Sequence, residues 1–406
     1  MSRFNPRSVA AVWVSGLAAL AVAALPVVAP AGGDQPSPQA SLTAFTILSG
    51  MTLSHTFTVN GTGTTASEPL TKPDDITHLG GIIFVGFQNG VGPQGQPSAD
   101  GNTDGTIVAM GTFGKALAQW DVQGKIDGLT ADPAIGGLIA TVNEDANSSL
   151  YTLTPGAHGA VNVQQYKYNE PLPHNGGTDG ISVLGNEILI SASAPGTTGT
   201  LAPPQPTFPA VYSVTLDPTT SVATVSPVFY DEDTATTANT GPQHGQKVAL
   251  ALTDPDSSSV VPGGAPRFAH DFMLTSQGDQ QQIFVDRGNP SKSLSVLSLS
   301  QAVDDTAWAV GPGVIYGTDS TNDAVDVLGG NFGENPIVAV TPCGSNSAPS
   351  TCPSLPDFPP NYVGSLNPWT GAITPVHVGG ADFVPQGGLE FVPFPHKRGR
   401  PPGTAG

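Results

Sequence analysis

Apolar residues along this chain come in short runs, either alternating with polar ones or continuous over about four to eight positions, and glycine, proline, asparagine and aspartate separate the runs. That pattern predicts many short β-strands joined by turns. No stretch keeps the three-to-four-residue spacing of a long amphipathic helix. A unit recurs: an acidic or glycine-rich turn, an apolar strand, a tight turn, a second apolar strand, a polar loop and a third strand. The first copy reads PDDITHLGGIIFVGFQNG, then GTIVAMGTF and ALAQWDV; the second reads GKIDGLTADPAIGGLIATVNEDANSSLYTL; the third reads GGTDGISVLGNEILISASAP, then AVYSVTL. Asp75, Asp127 and Asp179 head these copies at intervals of 52 residues, from 75 to 127 and from 127 to 179.

Later copies are less regular. AHDFMLTSQGDQQQIFVDRG starts near Asp271, and VDDTAWAVGPGVIYGTDSTNDAVDVLG starts near Asp305 as a clipped unit. Between the third and fourth copies DEDTATTANTGPQHGQKVALALTDPDSSSVVPGGAPR reads as an insertion. ADFVPQGGLEFVPF has the look of an innermost strand without partners, while SLTAFTILSG and SHTFTVNG look like outer strands without an inner one. The spacing is close to the roughly 40–50-residue repeat of propeller blades, and strands from both ends sharing one sheet would remove the open edges. The expected fold is therefore all-β: a single six-bladed β-propeller, or seven-bladed if the insertion holds a further blade, closed by N- and C-terminal strands.

Composition agrees with strands and turns: among 406 residues, 50 are glycine and 40 proline, and only 11% are charged. A formal charge of −19 repels a phosphate backbone, so nucleic acid is excluded as a partner. Arg3 and Arg7 precede an apolar run that ends at Ala29-Pro30-Ala31, a small-x-small cleavage signal. Residues 1–31 thus read as a secretory signal peptide, 32–42 as a Pro/Ser/Gln-rich flexible linker, 43–396 as the propeller and 397–406 as a basic disordered tail. The protein is expected outside the cell without a membrane span after cleavage, an uncleaved N-terminal helix being the alternative. In an oxidising compartment Cys343 and Cys352, the two cysteines of the chain, could pair and pin a surface loop.

The repeat, the export signal and the strand–glycine turn–strand grammar resemble secreted bacterial propellers of the NHL, SMP-30/gluconolactonase and YncE-like group. The resemblance implies the fold over nearly the whole mature chain, and no chemistry. Gluconolactonase-like families hold a divalent metal with Glu, Asn and Asp, and streptogramin-lyase-like propellers use histidines and a metal; neither set can be matched position by position here. ATVNEDANSSLY is similar to uncharacterised exported actinobacterial proteins.

On this fold the turns PDD, GKID, HNGGTD, FAHD and AVDD would place Asp75, Asp127, Asp179, Asp271 and Asp305 near one mouth of a central channel, with Glu144 and Arg267 on the same loop-rich face. An aspartate before a strand commonly accepts hydrogen bonds from its own turn. Five carboxylates around one opening, however, repel each other unless a cation intervenes. Asp100, Asn102 and Asp104 fit the D-x-N-x-D-G opening of a calcium loop, although Gly111 stands where the bidentate acid belongs. His174 beside Asp179, and His270 beside Asp271, are the candidate general bases. Two readings follow. One is a monomeric, calcium-stabilised propeller that binds a small molecule or an extracellular protein; the other is a metal-dependent hydrolase, lactonase or lyase at the channel mouth.

Overall fold

The computed structural model describes residues 42–173, 177–193, 208–287, 293–341, 361–380 and 383–394. Cys343, Cys352, His174, the signal and the tail lie outside the described residues, as does the linker up to residue 41. Among the described residues the structure is nearly all β, without an α-helix, and no helix is long and apolar enough to cross a membrane.

The strands group into four-stranded units, each built outward from an inner strand. The first unit runs Pro73–Leu79, Ile82–Phe87, Asp104–Met110 and Ala116–Gln123. In the second, Ile126–Asp132 is innermost, followed by Gly137–Val142, Ser149–Pro155 and Val161–Tyr168. The third runs Ile181–Leu184, Glu187–Ser191, Pro209–Asp217 and Val222–Tyr230, and a short parallel pairing at its outer strand joins it to the second. Beyond these, Pro255–Val260, Phe272–Ser276, Gln281–Val285 and Leu294–Ser298 make the fourth. Val303–Ala307, Ile337–Val340, Tyr362–Leu366 and Ile373–Pro375 make the fifth. In the sixth, Leu389–Pro393 is inside, then Pro312–Asp319, Ala324–Asn331 and Thr43–Ser49 from the N-terminal region.

Three expectations are corrected here. The supposed insertion is not external: its Pro255–Val260 is the inner strand of the fourth unit, while Thr234–Thr237 and Lys247–Ala249 extend that sheet outward. The supposed clipped unit is divided. Val303–Ala307 pairs with Ile337–Val340, whereas the hairpin that follows it pairs with Leu389–Pro393 and Thr43–Ser49. Finally, Ser54–Thr58 pairs with Thr65–Pro69 in a separate two-stranded hairpin. Propensity marks each of these segments as strand; which neighbour each finds is a long-range matter that local pattern does not encode.

Six apolar clusters each lie between consecutive units, and the sixth unit packs on the first. Phe84 and Ile107 meet Leu138 and Leu153; Leu150 and Tyr166 meet Ile188 and Tyr212; Val211 and Phe229 meet Phe272 and Ile283. Onward, Phe284 and Leu297 meet Val338 and Leu366, Ile337 and Val363 meet Ile315 and Leu328, and Tyr316 and Val325 meet Ile83 and Val108. Central strands are thus covered on both faces, which is why Ile82–Phe87 and Gly137–Val142 are buried throughout and read as unbroken apolar runs.

Inner strands touch their neighbours in the same order, and Leu389–Pro393 lies beside Pro73–Leu79. Their approach is close enough to exclude a Cβ. One built on Gly128 would stand 2.4 Å from the Asp179 carbonyl oxygen and from Thr141 Oγ1. Gly128→Ala is therefore expected to cost about 1–3 kcal/mol in urea denaturation. Gly329→Ala, which meets nothing within 4 Å, should stay within about 0.5 kcal/mol of the parent; equal losses would refute the close packing.

Candidate functional site

Each inner strand begins with the same short grammar. Pro73-Asp74-Asp75-Ile76, Ile126-Asp127-Gly128-Leu129, Thr178-Asp179-Gly180-Ile181, Pro255-Asp256-Ser257-Ser258 and Val303-Asp304-Asp305-Thr306 align, and Gln386-Gly387-Gly388-Leu389 takes the sixth place. The pairing register is broken at this point in four of the strands, at 73–76, 126–128, 255–258 and 303–306. A bulge re-aims a side chain out of the alternation. Asp74, Asp127, Asp179, Asp256 and Asp304 all line one cavity of about 460 Å³ framed by the inner strands.

Of the sequence candidates, Asp75, Asp127, Asp179 and Asp305 line this cavity, but they divide into two roles. Asp75 accepts hydrogen bonds from the amides of Ile76 (2.7 Å) and, on the next inner strand, Leu129 (2.6 Å). Asp305 likewise accepts from Thr306 (2.7 Å) and Leu389 (2.6 Å). These two carboxylates tie neighbouring strands together, as the turn-capping reading expects. Asp127 faces Lys125 at 2.7 Å and accepts the Glu144 amide at 3.0 Å, and Lys125 also contacts the Glu144 carboxylate. Asp304 accepts Gln277 Nε2 at 2.8 Å and is hydrogen-bonded to Asp256. The Asp74 and Asp179 carboxylates have no hydrogen-bond donor among the described residues.

Burial in this setting raises the carboxyl pKa values. Asp74, Asp179 and Asp256 are driven well above the ordinary value by loss of solvation, with Lys125 opposing the shift at Asp74 and Asp179, and with acidic neighbours adding to it at all three. Burial takes Asp127 to about 7 against the pull of Lys125, and Asp305 to about 6. Burial would lower Lys125, but Asp127, Glu144 and Asp74 outweigh it and hold the ammonium charged. Toward the other end of the cavity wall, His78 Nδ1 contacts Glu390 on the adjoining inner strand; that hydrogen bond raises the imidazole pKa.

Other candidates stand elsewhere. Asp271 and His270 precede the second strand of the fourth unit and do not line the cavity, a correction that follows from Pro255–Val260 being innermost. The His270 ring lies over Gly263, where a Cβ would come within 2.4 Å of it. Arg267 is also absent from the cavity wall. Its guanidinium sits between the rings of Phe268 (4.5 Å) and Trp369 (4.8 Å) and donates to the carbonyls of Pro368 and Ala238, joining the fourth and fifth units.

In the calcium-loop candidate, Asn102 is buried. Its Oδ1 accepts the Asp104 amide at 2.8 Å and its Nδ2 donates to Glu68, while Asp100 accepts Ser98 Oγ. Glu68 in turn contacts His55, whose other ring nitrogen lies 3.1 Å from Asp121. The loop's polar groups thus fasten the 54–69 hairpin. Among the described residues, no group of three or more His, Cys, Asp or Glu side chains is disposed to hold one metal ion.

Sequence reasoning missed Asp74, Asp256, Asp304, Lys125, His78 and Glu390. A usable signal existed: Pro73-Asp74 and Pro255-Asp256 repeat the same dipeptide, and in the Asp-Asp doublets the first member shares the register of Asp127 and Asp179.

No family model and no curated protein matches the chain. Similar solved structures include a periplasmic gluconolactonase from Pseudomonas aeruginosa, 13% identical, covering 87% of this chain and 100% of that one with a TM-score of 0.41. A hydrazine synthase from Kuenenia stuttgartiensis is 13% identical over 75% of this chain and 68% of that one, TM-score 0.37. A glutaminyl cyclase from Myxococcus xanthus is 9% identical over 72% and 98%, TM-score 0.32.

The buried acids set the pH response. Because their folded pKa values lie above the ordinary 3.8, the folded chain binds more protons than the unfolded chain from about pH 4 to 7. Their contribution is fully present below the unfolded value and is lost as pH rises through the folded ones. Asp179→Asn should therefore raise the melting temperature by a few degrees at pH 8 and leave it nearly unchanged at pH 4, read by circular dichroism. A lower melting temperature at pH 8 would contradict this account.

Proposed function

We propose that this chain is an exported six-bladed β-propeller, closed by Thr43–Ser49 and Leu389–Pro393 within its sixth blade, whose central cavity binds a positively charged ligand. The order of the six clusters supports the architecture. One observation carries the function: five aspartates at equivalent positions line one cavity, the Lys125 ammonium pairs with Asp127 alone of these five, and Asp74 and Asp179 have no hydrogen-bond donor among the described residues. Water-poor surroundings make uncompensated carboxylates costly, and a cation entering the cavity removes that cost. Carboxylates spread around a wide cavity suit an extended organic cation better than one compact metal ion. Calcium, expected from the sequence, is the competing occupant.

A second reading is general-base hydrolysis, favoured by the contact between His78 and Glu390 on the same wall. It predicts turnover of ester or lactone substrates that is lost in His78→Ala.

Calorimetric titration tests the first reading. The purified protein should bind 1,4-diaminobutane with an affinity that falls as salt is added. The double variant Asp74→Asn/Asp179→Asn should lose at least about tenfold. Unchanged affinity in that variant would refute the reading, and calcium binding that excludes the diamine would transfer the site to a metal ion.

A further inference from the structure

Resting on that cation site, we propose that the ligand is a hydroxylated cyclic amine of the aminocyclitol class. Beyond the carboxylates, the wall formed by the third, fourth and fifth inner strands carries hydroxyl side chains. The residue two places after the aspartate is apolar in the first three inner strands, at Ile76, Leu129 and Ile181, as is Leu389 at the equivalent place of the sixth, but it is Ser258 in the fourth and Thr306 in the fifth. The fourth inner strand carries Ser257-Ser258-Ser259 in succession, a run that strand propensity does not favour.

The hydroxyls are only partly used within the protein. Ser182 Oγ and Ser258 Oγ lie 2.9 Å apart across adjacent inner strands, so one proton of the pair remains to be donated. Thr306 Oγ1 accepts Gln282 Nε2 at 2.8 Å and keeps its own proton. Ser182, Ser258 and Thr306 line the cavity beside Thr130. A hydroxyl proton without an acceptor is unfavourable in such surroundings, and a ligand hydroxyl, both donor and acceptor, satisfies it. Ammonium groups would meet the aspartates while ring hydroxyls meet this belt. About 460 Å³ falls within the roughly 300–1,000 Å³ typical of small-molecule sites.

Three ring compounds separate the contributions. 2-Deoxystreptamine carries two ammonium groups and three hydroxyls, cis-1,3-diaminocyclohexane carries the same charges on a bare ring, and myo-inositol carries hydroxyls alone. Titration of the full exported chain should show 2-deoxystreptamine binding at least about tenfold tighter than diaminocyclohexane, and no binding of inositol. Ser182→Ala/Ser258→Ala should bring the two diamines within about twofold of each other. Its melting temperature should stay within a few degrees of the parent's, since the two hydroxyls bond each other and are removed together. Equal affinity of the two diamines for the parent protein would overturn the aminocyclitol proposal and leave the cation site standing. Failure of both diamines to bind would overturn the two together, and inositol binding as tightly as 2-deoxystreptamine would remove the need for charge.

Discussion

The arrangement of this protein depends on how closely its inner strands approach one another. The carbonyls of four of the five aspartates are each held by a hydroxyl: Thr318 donates to Asp74, Thr141 to Asp179, Ser191 to Asp256 and Ser257 to Asp304. Glycines at 128, 180 and 388 leave room for the neighbouring backbone, with a Cβ at Gly180 only 2.7 Å from the Asp256 carbonyl oxygen. Satisfying these buried carbonyls fixes where each strand begins. It also fixes where each carboxylate goes.

Chemistry and stability are opposed in the cavity that results. Apolar clusters between the units supply the stabilising burial, whereas the aspartates at the centre lose solvation and repel one another. Lys125 offsets part of that repulsion and leaves the rest. Retaining a destabilising group of charges inside an otherwise well-packed fold is what a binding site for the opposite charge requires. The acids that serve the fold are separable from those that do not by their partners: Asp75 and Asp305 accept two amides each, while Asp74 and Asp179 accept none among the described residues.

Much of the architecture was legible in the chain because it is local and repeated. Asp75, Asp127 and Asp179 fall at even spacing since the first two units contain nearly the same number of residues. Past the third unit the register failed for a physical reason. Thr234–Thr237 and Lys247–Ala249 add strands to the outer edge of the fourth sheet before its inner strand begins, so the aspartate that lines the cavity is Asp256, not Asp271. The hairpin of Pro312–Asp319 and Ala324–Asn331 leaves the fifth sheet for the sixth, a choice between partners of similar apolar character. Arg267, expected on the loop-rich face, instead sits between two rings, Phe268 and Trp369, and the second is distant in sequence.

The amino-acid sequence therefore specified a β-rich chain of repeated units, with an aspartate heading each of the regular ones and a strongly acidic balance, since these follow from short-range periodicity and residue chemistry. Packing in three dimensions decided which aspartates face the cavity, which brace the strands, and that Lys125, His78, Glu390 and the serines of the fourth inner strand join them. Those outcomes arise from contacts between segments dozens to hundreds of residues apart, and no window along the chain contains both sides of them.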